Sequence, residues 1–220
     1  MIDQHTKLYG SFAKKAGSVG CKFFNTAFQQ CGINAIYKSF SIENIEDAVK
    51  SAKTLDMKGF AITMPFKKEV LKYVDEIDKS AQIGAANTII NDNGKLTAYN
   101  TDFLAASDYL NKYPVNKFDF YILGDGGYAL AVKTAAEMLG INYTNITRES
   151  WDQLGIIKNS LIYNCTPVDN ITSIVSDSNT IIDCIVHTKT GRELATMQAS
   201  YQFKLYTGLE FPTGDKNGKN

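Results

Sequence analysis

Residues 118–139 constrain this chain more than any other stretch. FDFYILG reads as a buried strand, GDGG as a tight turn and YALAVKTAAEML as a helix, with Ala129, Leu130, Val132, Ala135, Ala136 and Leu139 recurring at helical spacing. A strand that passes through a glycine turn straight into a helix belongs to a sheet with helices packed on it. The turn also suits a chemistry. Gly124, Gly126 and Gly127 let backbone N–H groups approach a pyrophosphate, and the helix start attracts its negative charge. The loop departs from a strict G-x-G-x-x-G, because Tyr128 and Ala129 occupy the stretch where a third glycine would fall.

The first hundred residues alternate in the same way. Strand patterns at Lys7–Phe12, Ala35–Ser41 and Phe60–Met64 flank two helical faces, one of Phe23, Phe24, Ala27, Phe28 and Cys31, the other of Ile45, Ala48, Val49, Ala52 and Leu55. The β-α-β-α-β order predicts a helix-covered sheet with right-handed crossovers. Pro65 ends the third strand because it has no N–H to give the ladder. Lys67 then stands at a strand-to-helix junction, where α/β proteins place ligand chemistry. A lysine held there partly desolvated is a usable acid; Lys67 and Lys68 read also as two solvated charges opening a helix.

Asn93-Gly94 between two strand patterns predicts a hairpin. Its ends carry polar groups that a hairpin does not need, Asn87-Thr88 on one side and Asn100-Thr101-Asp102 on the other. Asp102 reads either as a functional carboxylate or as the N-cap of a helix from Phe103 to Asn111. Past the glycine turn, strands are expected at Asn142–Thr147, Ser160–Cys165 and Thr180–Val186. A weak helix at Glu193–Ala199, a last strand at Phe203–Tyr206 and a polar, frayed tail from Phe211 follow.

Bulk properties exclude several functions. The 220 residues carry 23 basic and 23 acidic side chains, so no basic field draws the chain to nucleic acid or anionic lipid. No apolar run approaches a membrane span, and the first residues lack the apolar core of a signal peptide. Four scattered cysteines read as reduced core thiols of a cytoplasmic protein. Two isolated histidines, His5 and His187, are too few for a His-based metal site, and no metal is expected.

The motifs, taken in order, resemble the shikimate dehydrogenase family over most of the chain. That family's G-x-N-V-T-x-P-x-K, G-A-x-N-T, N-T-D, G-x-G-G, N-R-T and N-x-T-P segments look like GFAITMPFK, GAANT, NTD, GDGGYA, TRE and NCTP here. The resemblance implies an α/β protein with an N-terminal substrate domain and a Rossmann-like dinucleotide-binding domain, with a cleft between them. The domains would be residues 1–102, rejoined by 207–220, and 103–206. It implies an NADP-dependent oxidoreductase of aromatic amino acid biosynthesis, acting on a hydroxylated ring carboxylate as a monomer or homodimer. Lys67 and Asp102 match the catalytic pair, and Ser18, Thr63 and Asn87 the substrate positions. Gly124, Gly126, Gly127, Ala129, Thr147, Arg148, Thr166 and Gly208 match the cofactor positions.

The chain also departs from the pattern. The family's Ser-x-Ser is Ser18-Val19-Gly20, its N-V-T asparagine is Ala61, and the histidine before the helix asparagine is Phe24. The tyrosine of the late Y-x-P segment looks replaced near Val186, and the glutamine that usually contacts substrate has no counterpart after Gly208-Leu209-Glu210. By the same comparison the closing helices are expected to be absent or abbreviated. The expected function is reduction of 3-dehydroshikimate, or a similar ring ketone, with NADPH. The alternative is a degenerate paralogue that binds dinucleotide or a small acid without efficient turnover.

Overall fold

The computed structural model describes residues 2–212; residues 213–220 of the tail lie outside the described residues. The chain divides into two compact units, Met1–Tyr99 with the stretch from Ser200 onward, and Asn100–Ala199.

The first unit begins β1 (Lys7–Ala13), α1 (Val19–Gln30), β2 (Ala35–Ser41), α2 (Ile45–Thr54) and β3 (Gly59–Ile62). It continues through a 3-10 turn at Glu69–Tyr73 to β4 (Glu76–Ile77), β5 (Thr88–Asp92) and β6 (Lys95–Tyr99). The sheet order is β2-β1-β3-β5-β6-β4. β1 pairs in parallel with β2 and β3, and β5 is antiparallel to both of its neighbours. The spacing of Ile45, Ala48, Val49 and Ala52 puts all four on one face of α2, which packs on Phe12, Phe60, Ile62, Ile89 and Leu96. Asn44 starts that helix by accepting the Asp47 N–H at 3.1 Å. The Asn-Gly hairpin forms as expected: Asn93 and Gly94 both have positive φ, 52° and 92°, as a two-residue type I′ turn requires.

The second unit holds α3 (Thr101–Leu110), β7 (Phe120–Leu123), α4 (Gly127–Met138), β8 (Thr144–Ile146), β9 (Leu161–Asn164) and β10 (Thr180–Asp183). Its sheet runs β10-β9-β7-β8 with every pairing parallel. This is the doubly wound, Rossmann-like arrangement. The first strand of the sheet, β7, has β8 on one side and β9 on the other. The strand order therefore reverses between β7 and β9, and ligands bind at such a reversal, outside the carboxyl ends of the strands.

One expected pair of elements is a single element. Residues read as a weak helix at 193–199 and a strand at 203–206 belong to one helix, α5 (Lys189–Thr207). Phe203 and Tyr206 lie one helical turn apart and are both buried. The Phe203 ring packs on Phe28 at 5.9 Å, and the Tyr206 ring on Tyr9 at 4.9 Å. α5 is a closing helix, so that element is present rather than lost. The tail is not frayed where it begins: the Phe211 ring stacks on Phe23 at 4.2 Å.

Tyr206 approaches β3 so closely that a Cβ at Gly59 would lie 2.6 Å from its ring, which accounts for glycine there. Its hydroxyl is a buried polar atom with no hydrogen-bond partner among the described residues, and burial pushes the phenol well above its ordinary pKa. A buried unsatisfied group costs on the order of 1–3 kcal/mol. Tyr206→Phe is therefore expected to hold or raise the melting temperature; a loss exceeding about 1 kcal/mol in a denaturant titration would show that the hydroxyl is satisfied in solution.

The four cysteines form no disulfide and are half-buried, more accessible than the core thiols expected. Among the described residues, no group of three His, Cys, Asp or Glu could hold a metal ion. No described helix is long and apolar enough to cross a membrane.

Candidate active site

In the first unit, three sequence-predicted residues gather where β1 and β3 end. Thr63 follows β3 directly, and its N–H donates to the Phe12 carbonyl of β1 at 3.0 Å. A turn closed by Phe66 N–H to the Thr63 carbonyl, 3.0 Å, then buries the Phe66 ring and leaves Lys67 half-buried behind it. The peptide bond between Met64 and Pro65 within that turn is cis. Lys67 is tied to the next segment as well, because its carbonyl accepts the Ala86 N–H at 2.8 Å. Asn87 follows, nearly fully buried; its N–H donates to Tyr99 and its carbonyl accepts from Ile62 at 2.8 Å. Thr63, Lys67 and Asn87 thus share one sheet edge. The loop with Ser18 leaves the same edge from β1. Ser18 is exposed at the start of α1 and makes no side-chain capping bond.

The departures from the family pattern have structural uses. Phe24 stacks on Tyr37 at 4.6 Å inside an aromatic cluster. Ala61 is buried in β3 between Ser11 and Thr88. Asn25 ties α1 to β2: its Nδ2 donates to the Tyr37 carbonyl at 2.9 Å while its Oδ1 accepts the Tyr37 N–H at 2.8 Å.

One residue here escapes the sequence reading. Gln202 of α5 is nearly fully buried, and its Nε2 donates to Thr88 Oγ1 at 2.8 Å and to the Asn87 carbonyl at 3.3 Å. A strand read at 203–206 hides it. A helical reading of the apolar residues Ala199, Phe203 and Tyr206 would have put Gln202 on the buried side of α5.

In the second unit, Asp102 lies in the first turn of α3 and is nearly fully buried. It is not the helix cap. Asn100 is, its Oδ1 accepting the Phe103 N–H at 2.9 Å, so the capping alternative is set aside. Burial pushes the Tyr128 phenol and the Cys165 thiol well above their ordinary pKa values; neighbouring groups add to this, and the Asp102 carboxylate is among them in both cases.

The glycine loop follows β7. Gly124 has φ 103°, and a Cβ there would meet Thr166 Cγ2 at 3.0 Å, so the loop packs directly against the turn after β9. A Cβ at Gly126 would meet nothing within 4 Å. The helix that starts at Gly127 has no side-chain cap and no acidic residue in its first turn. Uncapped N–H groups at the start of a 12-residue helix, beside a glycine with open space over it, suit a phosphate group. The negative charge of Asp125 beside them is paired with Lys133. Ala129 is buried in α4. Thr166 donates its hydroxyl to Asn164 Oδ1 at 2.7 Å.

Thr147 follows β8 directly, its N–H donating to Ser150 Oγ at 3.0 Å, and Arg148 and Glu149 come next with exposed side chains. Gly208 is the one cofactor candidate outside the second unit. It belongs to the first unit and closes α5 with φ 73°.

Comparison with known proteins bears on both units. Residues 13–89 match the model of the shikimate dehydrogenase substrate binding domain. A shikimate dehydrogenase-like protein of Haemophilus influenzae is 40% identical over 148 residues, covering 66% of this chain and 55% of that protein. The NADP(+) shikimate dehydrogenase of Pyrococcus furiosus is 34% identical over 169 residues, 73% of this chain and 62% of that one. The chain thus matches little more than half the length of these curated relatives. The solved structure of a shikimate 5-dehydrogenase-like protein superposes with a TM-score of 0.82 at 29% identity, covering 97% of this chain and 96% of the other.

Proposed function

We propose, because this chain belongs to the shikimate dehydrogenase family, that it is an NADP-dependent oxidoreductase reducing 3-dehydroshikimate, or a closely similar ring ketone, to the ring alcohol. The observation that carries the reading is the shared sheet edge of Thr63, half-buried Lys67 and Asn87, inside the segment that matches a substrate-binding domain. NADPH, when bound, supplies the hydride that the carbonyl carbon accepts. Lys67 gives a proton to the carbonyl oxygen as the C–H bond forms, so the ketone becomes a neutral alcohol. Asp102 is assigned to the reacting hydroxyl. Ser18, Thr63 and Asn87 supply hydrogen bonds that fix the ring, which hydride transfer needs because it tolerates little error in approach.

Gly124, Gly126, Gly127 and the start of α4 would hold the pyrophosphate of NADP, with Ala129 packed beneath and Thr166 closing the loop from β9. Arg148 and Thr147 are assigned to the 2′-phosphate, since a guanidinium fork bonds two phosphate oxygens at once. Gly208, which closes α5 in the first unit, is assigned to the cofactor by the family resemblance alone. Arg148→Ala is expected to weaken NADP by about 1–3 kcal/mol while sparing NAD. Titration of both nucleotides checks this, and equal weakening of the two would remove Arg148 from the phosphate.

The second reading, a binder without efficient turnover, is favoured by Ala61 and Gly20, which replace polar family positions with residues that offer no side-chain hydrogen bond. Each missing bond costs on the order of 0.5–1.5 kcal/mol. A screen of ring hydroxy acids, shikimate and quinate first, with NADP and with NAD, read by nicotinamide absorbance, separates the two. Turnover with one of these acids supports the enzyme; calorimetric binding with no absorbance change supports the binder.

A further inference from the structure

Gly124 opens the glycine loop with φ 103°. Glycine populates positive and negative φ about equally, so bonds from outside the loop must hold it in one conformation. Two successive residues of β8 supply them, all within the second unit. The Gly124 N–H donates to the Ile146 carbonyl at 2.8 Å. The Gly124 carbonyl accepts from Asn145 Nδ2 at 2.9 Å, and the same nitrogen donates to the Ile122 carbonyl at 2.9 Å. On its other side, Asn145 Oδ1 accepts from the Lys133 ammonium group at 3.1 Å, and Lys133 also pairs with Asp125 of the loop. Carbonyl oxygens only accept and an ammonium group only donates, so all three neighbours agree on which end of the carboxamide is nitrogen.

The bond to Ile146 is main-chain, and any residue at 146 can make it. The clamp on the Gly124 carbonyl needs asparagine at 145, because an ionised aspartate has no donor and a serine only one. A peptide unit is planar and rigid, so holding the Gly124 carbonyl holds the whole Gly124–Asp125 peptide, and with it the path of the chain into Gly126 and the start of α4. We propose that Asn145 is a positioning residue for the dinucleotide: backed by Lys133, its carboxamide clamps the Gly124 carbonyl and so pre-forms the loop that receives the pyrophosphate. The inference rests on the assignment of that loop to NADP made above. Asn145 acts through Gly124 and not by touching the nucleotide. Its effect also differs from that of Arg148. The pyrophosphate is common to NAD and NADP, so Asn145 serves both, whereas Arg148 is assigned to a group that only NADP carries.

Asn145→Leu keeps roughly the same volume and Asn145→Asp the same shape, and both remove the two donors. The main-chain bond from Gly124 to Ile146 remains in each. In the full chain, calorimetry is expected to show NADP and NAD both bound about tenfold more weakly by each variant, with the ratio of the two affinities unchanged. Wild-type affinity for both nucleotides overturns the proposal, and so does weakening of NADP alone. A merely structural role would lower the melting temperature and leave both affinities at wild-type values below it, which also overturns the proposal. The second measurement needs no nucleotide. In 15N-labelled, ligand-free protein the main-chain amide signals of residues 124–127 should be sharp in wild type and broadened in both variants, while those of β9 and β10 stay in place. Unchanged signals at 124–127 overturn the clamp. If wild type binds NADP without turning over 3-dehydroshikimate, and the variants bind it more weakly, the dehydrogenase reading fails and the proposal stands. A wild type that binds neither nucleotide overturns it.

Discussion

Lys67→Ala is expected to lower turnover about 10²–10⁴-fold, the usual loss when a general acid is removed, with fold and dinucleotide binding kept. The expectation follows from how position 67 is held. Its neighbour Phe66 and, one turn on, Val70 carry the packing of this segment into the core, both almost wholly buried. The main-chain bond from Ala86 N–H to the Lys67 carbonyl does not depend on the side chain. Truncation therefore removes the ammonium group without opening the core, and a loss of that size corresponds to about 2.7–5.4 kcal/mol of transition-state stabilisation. Steady-state kinetics beside a thermal melt checks it. A variant with near-wild-type kcat would remove Lys67 from the chemistry.

Asp102→Asn should lower the rate by a similar order while the protein stays folded. The substitution keeps the shape and removes the charge. Helix α3 keeps its start, because the capping bond comes from Asn100 Oδ1 to the Phe103 N–H. Loss of an anion from a first helical turn costs only about 0.3–1 kcal/mol, whereas a hundredfold drop in rate corresponds to about 2.7 kcal/mol. The two roles thus differ in size as well as in readout. A variant with full activity and a lowered melting temperature would make Asp102 a structural carboxylate.

The parts of the fold that periodicity controls were legible from residues alone. The α2 face of Ile45, Ala48, Val49 and Ala52 and the Asn93-Gly94 turn are local signals, and the structure keeps both. The strand, glycine turn and helix at 120–138 are equally local. The end of the chain was not legible in this way. Ser200 to Tyr206 alternates polar and aromatic residues over a few positions, as an edge strand does, but its rings pack on α1 and on Gly59 at helical spacing. Tertiary packing overrode the local pattern. The same strand reading hid Gln202, which a continuous α5 places in the core against Thr88. Asp102 shows a different limit. An aspartate two residues after an asparagine offers two candidate caps, and only the geometry of the first turn separates them.

The positions proposed for the site in the first unit could be located from the sequence because they follow the ends of β1 and β3 and precede β5, which the strand pattern and Pro65 mark out. What sequence could not convey is that the backbone bonds Lys67 to Ala86 and Asn87 to Ile62, which hold these segments together.

The most direct measurement is consumption of NADPH by the unmodified chain in the presence of 3-dehydroshikimate, followed by nicotinamide absorbance, with the product identified and binding of each ligand measured in parallel by calorimetry. The expected result is saturable, ketone-dependent oxidation of NADPH with shikimate formed in equal amount. Binding of both ligands with no oxidation of NADPH would contradict the assignment of this chain as a working dehydrogenase.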